Sequence, residues 1–324
     1  MKHSTSRRAA AVRGVGLALG AALSLGLAPA ASAQQVTFMT GPQGGSWIPL
    51  GGALKGIWEK AVPGLKIQMT PGAGISNVRG VDAGKAHIGF GNSITTVDGV
   101  KGNPPYPKAT TNVCQVANLY PQYFQVVALA DAGINTVADL KGKASVMQSR
   151  GNTAELITQH ILKTQGLTYD SLRKANFVAS YDDAVSMLKD GQAEVFTLGT
   201  TAPASSVMNL ASARDIKLIG VDEKTLAEMK KINPGYNMAT IKAGTYQKQD
   251  KDVNVIAYST HLVAACDLPE DVVYNMTKSL AENAADLVAV VKAVSGLDAK
   301  KMAQDIGVPF HKGSEKYYKE VGAL

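Results

Sequence analysis

The sequence predicts an α/β protein of two lobes, each a mainly parallel sheet flanked by helices. Short β-branched runs alternate with segments of helical period along most of the chain, and that alternation builds parallel strands covered by helices. A helix-to-strand junction, Gly84-Lys85-Ala86-His87-Ile88, returns as Gly191-Gln192-Ala193-Glu194-Val195. The recurrence fits two similar lobes and equally fits ordinary loop chemistry, in which a left-handed glycine ends a helix. Length agrees: the 324 residues, less a leader of 33, leave 291, enough for two domains.

The leader is read from Lys2, Arg7, Arg8 and Arg13, the apolar run Gly14 to Ala28 and the exit Ala31-Ser32-Ala33. A basic head, a short apolar stretch and small residues make a secretory signal peptide, cleaved after Ala33 and directing the chain to the periplasm. The apolar stretch is shorter than a spanning helix needs. Removing its four basic residues lowers the net charge from +7 to +3. No basic run interleaved with aromatics remains, so no nucleic-acid partner is expected.

Strands are expected at Val36–Met39, Leu65–Thr70, Ala86–Phe90 and Val113–Leu119, with helices Trp47–Ala61 and Ser76–Gly84 between them. Strands Lys143–Met147, Asn176–Ala179, Ala193–Leu198 and Ile216–Val221 follow, interleaved with helices Thr153–Thr164, Asp182–Lys189 and Ala204–Ala213. From Asn233 come a loop, two strands and two amphipathic helices, Asp271–Asn283 and Asp286–Ser295. Lobe I is therefore expected over 34–124 and 230–324, and lobe II over 125–229. Two crossings between lobes suit hinge closure.

Several motifs fail on inspection. Gly80 to Ala86 is one residue short of a phosphate-binding loop and lacks its final hydroxyl. Gly72-Ala73-Gly74-Ile75-Ser76-Asn77 has asparagine where a dinucleotide fingerprint needs its third glycine. Ser76 and Ser93 each lack the last glycine of a nucleophile elbow, with Val78 and Thr95 in its place. His87, His160, His261 and His311 are scattered and read as structural. No metal, cofactor or catalytic residue is expected. Cys114 and Cys266 are either bonded to each other or two buried thiols.

What survives is a repeated device. Gly44-Gly45-Ser46-Trp47 follows the first strand, Gly72 to Asn77 the second, and Gly91-Asn92-Ser93 the third. Loops at the carboxyl ends of parallel strands line a ligand crevice. Glycine leaves backbone N–H groups bare, and a neighbouring hydroxyl or amide completes an anion site; the bland alternative is helix capping by each serine. In the second lobe Arg150 is expected either to grip a carboxylate or to stand as a solvated loop arginine, with Thr153 and Thr200 beside it. Tyr120 sits at the crossing. The expected ligand-binding set is thus Gly45, Ser46, Trp47, Ser76, Asn77, Asn92, Ser93, Tyr120, Arg150, Thr153 and Thr200.

The stretches "TGPQGGSWIPLGGAL" (40–54), "PGAGISNVRGVDAGKAHIGF" (71–90), "NLYPQYFQVVAL" (118–129), "IKAGTYQKQDKDVNVIAY" (241–258), "LPEDVVYNMTKSL" (268–280) and "HKGSEKYYKEVG" (311–322) resemble the TAXI family of TRAP-transporter solute-binding proteins. The resemblance implies a type II periplasmic receptor, expected as a monomer. It would close on a small carboxylate such as glutamate or 2-oxoglutarate and deliver it to a TRAP membrane permease. By position it puts Ser46, Trp47, Ser76, Asn77, Asn92, Ser93, Tyr120 and Thr153 in the pocket.

Three departures from the family pattern stand out. Trp47 replaces a usual tyrosine, Gly91-Asn92-Ser93 replaces a Gln-Ser-Asp-like end, and Ser149-Arg150-Gly151-Asn152-Thr153 keeps only the threonine in register. An aromatic face plus an arginine would also fit an aromatic acid. The alternatives are a binding module for an ABC importer or sensor kinase, and a serine-dependent periplasmic hydrolase.

Overall fold

The computed structural model describes residues 34–324; the leader expected over 1–33 lies outside the described residues. The first half of the chain runs β1 (Gln34–Met39), α1 (Trp47–Ala61), β2 (Leu65–Thr70), α2 (Gly74–Asp82), β3 (Ile88–Asn92) and α3 (Ser93–Lys101). β1 pairs in parallel with β2 and with β3. Phe38, Ile67, Ile88 and Phe90 are buried with Leu50, Leu54 and Trp58 of α1, while Ile75, Val78 and Val81 of α2 pack in a separate cluster with Ala86 and Val263. Gly84 and Gly191 hold φ of 68° and 69°, so both junctions use the left-handed residue that ends a helix.

β4 (Cys114–Leu129) is longer than expected. It continues past Tyr120 and through Pro121, which lacks a donor, because a register shift against β10 (Val253–Ala264) lies beside it. The second α/β unit is β5 (Ala144–Gln148), α4 (Thr153–Thr164), β6 (Lys174–Val178), α5 (Tyr181–Lys189), β7 (Val195–Thr200), α6 (Ser205–Ala211), β8 (Ile216–Ile219), α7 (Glu223–Ile232) and β9 (Asn237–Ile241). After β10 come α8 (Glu270–Glu282), α9 (Ala299–Met302) and α10 (Lys312–Glu320).

All strands form one sheet in the order β2-β1-β3-β10-β4-β7-β5-β6, with β8 on β4 and β9 on β10. β5 is parallel to β6 and β7, while β10 and β4 are antiparallel to their neighbours. The two long strands therefore join two parallel halves. This is the two-lobed α/β binding-protein architecture read from the sequence.

Packing divides the chain more finely than composition did. Ile241, Tyr246 and Val255 pack with Val185 and Phe196, whereas Leu262, Leu268 and Val273 pack with Val36 and Phe38. The chain after residue 230 thus stays with the second half until it is inside β10.

The helix expected over Asp286–Ser295 is instead two 3-10 turns, Asp286–Ala289 and Lys292–Val294. Its β-branched Val288, Val290, Val291 and Val294 disfavour a continuous helix. Cys114 and Cys266 form a disulfide with Cα atoms 5.1 Å apart, tying the start of β4 to the chain just beyond β10.

Candidate functional site

The carboxyl ends of the parallel strands of both halves face one another across β4 and β10. Between them lies a cavity of about 20 Å³ bordered by Ser46, Trp47, Gly74, Asn92, Asn152 and Tyr181, with Gln122, Thr200 and Tyr258 closing the base. That is room for about one water molecule, so the halves are closed on each other. Direct contacts across the gap hold them. Tyr181 donates its N–H to Gln43 O at 3.0 Å, Ser76 N–H donates to Gly151 O at 3.2 Å, and the Thr95 and Thr153 hydroxyls lie 3.1 Å apart. A Cβ at Gly74 would stand 2.3 Å from Thr153 Oγ1, so glycine is what lets α2 and α4 meet.

Five helices begin on this cavity: α1 at Ser46–Trp47, α2 at Ala73–Gly74, α3 at Asn92, α4 at Asn152 and α5 at Tyr181. A helix amino terminus carries a partial positive charge of about half an electron and N–H groups without an intrahelical partner; at α4 and α5 the side chains of Asn152 and Ser180 cap one of these each. Proteins commonly offset that charge with an acid in the first turn. α1, α2 and α3 have none there, and their capping residues Ser46, Ala73 and Asn92 make no side-chain cap. Ser46 is therefore not the helix cap that its type suggests. None of the side chains lining the cavity is charged. α4 and α5 carry Glu155, Asp182 and Asp183 in their first turns, so the uncompensated positive ends that suit an anion are those of α1, α2 and α3.

The expected residues divide sharply. Gly45, Ser46, Trp47, Asn92 and Thr200 border the cavity. Ser46 Oγ lies 3.2 Å from Tyr120 Oη and 3.3 Å from Thr200 Oγ1, joining both halves through one hydroxyl. Tyr120 stands behind it. Burial pushes its phenol up to about 12, so it remains a neutral donor. Asn92 is buried, and its Oδ1 has no hydrogen-bond partner within the described residues. A buried amide oxygen left alone is costly, and a ligand donor, or an N–H acceptor with the amide turned over, would satisfy it.

The other expected residues serve the frame. Asn77 donates to Thr40 O at 2.7 Å, Phe90 O at 2.9 Å and Met39 O at 3.3 Å, and accepts from Ala73 N–H at 3.0 Å. It braces three loops and has nothing left to offer a ligand. Ser76 Oγ donates to Ala73 O, and Ser93 Oγ accepts from Ser259 N–H. Thr153 bonds Thr95 beneath the wall.

Arg150 is placed outward: its side chain is 71 % exposed, 3.8 Å from Glu155 and stacked over Phe177 at 5.5 Å. In place of the arginine grip expected from sequence, the exposed guanidinium faces the buried carboxylate of Glu155. Trp47 is buried against Phe90 at 5.2 Å with its indole N–H donated to Thr260 Oγ1 at 3.4 Å, so its polar edge is occupied.

Sequence reading missed Gln122, Asn152, Tyr181 and Tyr258. Asn152 lies in the loop already singled out, and its Oδ1 caps Ala154 N–H at 2.8 Å. Tyr181 follows Ser180 at the carboxyl end of β6, so the rule applied to the first three strands would have found it. Its phenol donates to Gly199 O at 2.9 Å and is raised by burial. Nothing local marks Gln122 or Tyr258, which reach the cavity from the crossing strands.

A family model described as the NMT1-like family matches residues 38–322. The chain belongs to that family. Solved structures share the fold of this NMT1-like protein at low identity. Methylphosphonate-bound PhnD1 from Prochlorococcus marinus is 12 % identical with a TM-score of 0.53, covering 90 % of this chain and 100 % of that one. The alkanesulfonate-binding protein SsuA from Xanthomonas axonopodis, bound to MOPS, is 16 % identical with a TM-score of 0.50, covering 90 % and 85 %. A Listeria monocytogenes chain described as an L-cystine ABC transporter is 17 % identical with a TM-score of 0.50, covering 83 % and 99 %. These likenesses fix the two-lobed binding-protein fold. None of the three is described as a TRAP-transporter protein.

Proposed function

We propose that this NMT1-like protein is an extracytoplasmic receptor that holds a small organic anion between its lobes and hands it to a membrane transporter, without altering it. The observation that carries the reading is the convergence of five helix amino termini on one cavity with no charged lining residue. Neighbours of the same fold include proteins described with methylphosphonate and as alkanesulfonate-binding, so the fold can house an oxyanion; the choice of an anion rests on the helix termini. Ser46, Asn92, Thr200 and backbone N–H groups make the ligand contacts, and Gln122, Asn152, Tyr181 and Tyr258 complete the wall. The mechanism is a population shift, because ligand contacts both halves only in the closed form.

The lobes are proposed to exchange at β4 and within β10, which moves the second boundary from residue 230 to about Tyr258, on the packing of Ile241 and Val255 with Phe196. Among the described residues no helix is long and apolar enough to cross a membrane, and the leader read from the sequence would export the chain.

The transporter is proposed to be an ABC-type importer, since a neighbour of this fold is described as an ABC transporter. The TRAP permease rests on the sequence resemblance alone. The hydrolase reading loses its serines: Ser76 and Ser93 bond Ala73 O and Ser259 N–H rather than a base.

Isothermal titration with a panel of carboxylates, phosphonates and sulfonates, alongside lysine and choline as cations, tests the reading. Saturable binding of an anion without turnover supports it. Preference for a cation, or release of product, overturns it. Co-purification with permease subunits from the native host separates the two transporter classes.

A further inference from the structure

The small cavity is not the whole of the space at this site. An outer groove of about 560 Å³ shares Gly45, Ser46 and Thr200 with it, and a groove of that size is typical of ligand pockets. Its wall has a different chemistry. Pro49, Pro121, Tyr123, Pro203, Met208 and Val290 present mainly apolar surface drawn from both halves of the sheet. The one charged lining residue is Lys292, whose stem can lie on apolar surface while its ammonium stays in water.

Met208 is 48 % exposed and Val290 43 %. Both border this groove, and adjoining exposed apolar side chains mark binding surfaces. Gly45, Ser46 and Thr200 border both spaces, and the hydroxyls of Ser46 and Thr200 lie 3.3 Å apart there. Each turns about a single side-chain bond. A ligand head that takes up both hydroxyls would leave the two spaces continuous, with the backbone unmoved.

We infer that the ligand is an organic anion with an apolar body. Its head lies at the helix amino termini, and its body runs past Ser46 and Thr200 into the groove bounded by Met208 and Val290. The inference rests on the anion-receptor reading and deepens it by naming the ligand class. The inner cavity takes no more than an acid head group, so any larger ligand must continue outward. The outward path is apolar.

Titration of the purified protein with straight-chain carboxylates from acetate to octanoate, with glutamate and 2-oxoglutarate as polar comparators, is the test. Affinity should rise about fourfold per methylene over the middle of the series. The uncharged polar variants Met208→Gln and Val290→Asn should each flatten that rise, with acetate affinity read by competition as the reference. Both positions are exposed, and equal melting temperatures would confirm that the variants fold.

If short acids bind with no gain along the series, or glutamate binds more tightly than octanoate, the apolar-body inference fails and the anion receptor survives. A rise unchanged in both variants also overturns it and leaves the groove to a macromolecular partner. If no carboxylate binds while a phosphonate or sulfonate does, the inference must hold for the alkyl series of that acid or fall. If no anion binds at all, both readings are lost.

Discussion

The hydroxyl of Ser46, at the start of α1, lies 3.3 Å from that of Thr200 at the end of β7, across 154 residues of chain. The pair joins the two halves at the point where the inner cavity meets the outer groove. Ser46→Ala and Thr200→Val should each weaken anion binding about fivefold to tenfold, the worth of about one net hydrogen bond. Calorimetry measures it, and Ser46→Ala should also lower the melting temperature slightly, because the buried Tyr120 phenol loses a partner.

Gly74→Val should weaken binding more than either. A Cβ there meets Thr153 Oγ1 and Asn92 Nδ2, at 2.3 and 2.5 Å. The branched side chain holds α2 away from α4. Small-angle scattering at saturating ligand should then show a more open particle than the wild type; an equally closed one would refute the packing argument.

Arg150→Ala should leave ligand affinity within about twofold. The side chain is largely exposed, turned to Glu155 and Phe177, and does not line the cavity. A tenfold loss in titration would return Arg150 to the binding site.

Asn77→Ala should behave in the opposite way, as a stability variant. It strands the buried carbonyls of Thr40 and Phe90 and the Ala73 N–H. A loss of about 2–4 kcal/mol is expected in denaturant unfolding. Any residual folded protein should still bind ligand, since Asn77 does not line the cavity.

Acid should destabilise the protein through its buried histidines. His160, bonded to Tyr236 Oη, is lowered to about 4, and His261, bonded to Thr96, to about 3, both chiefly by burial. The unfolded chain takes up these protons near pH 6.5, before the folded one does. Their contribution is therefore intact above pH 6.5 and declines as pH falls, by about 1.4 kcal/mol per pH unit for each histidine. Asp98, raised by burial, opposes part of this fall. Denaturant titrations between pH 7 and 4.5 measure it, and His261→Gln should reduce the slope.

How much of this was legible follows from where each interaction is decided. Strand and helix alternation is local, so β1 to β3, α1, α2 and α4 stand close to where periodicity put them, while α3 (Ser93–Lys101) was not read. The glycine turns at strand ends are local too, and they placed Gly45, Ser46, Asn92 and Thr200 at the cavity. Side-chain direction is not local. Asn77 and Asn92 are the same residue type at similar turns, yet one is consumed by three backbone carbonyls and the other keeps a free oxygen.

By itself, then, the sequence determined which backbone termini would be bare, because glycine, strand ends and helix starts are written in neighbouring residues. Only the tertiary structure decided which side chains accompany them. Arg150 turns outward because Glu155 and Phe177 wait there, and Tyr181 and Tyr258 arrive from elements far away in the chain. Contacts of that kind depend on how sheet and helices pack, and packing is a property of partners that no short stretch contains.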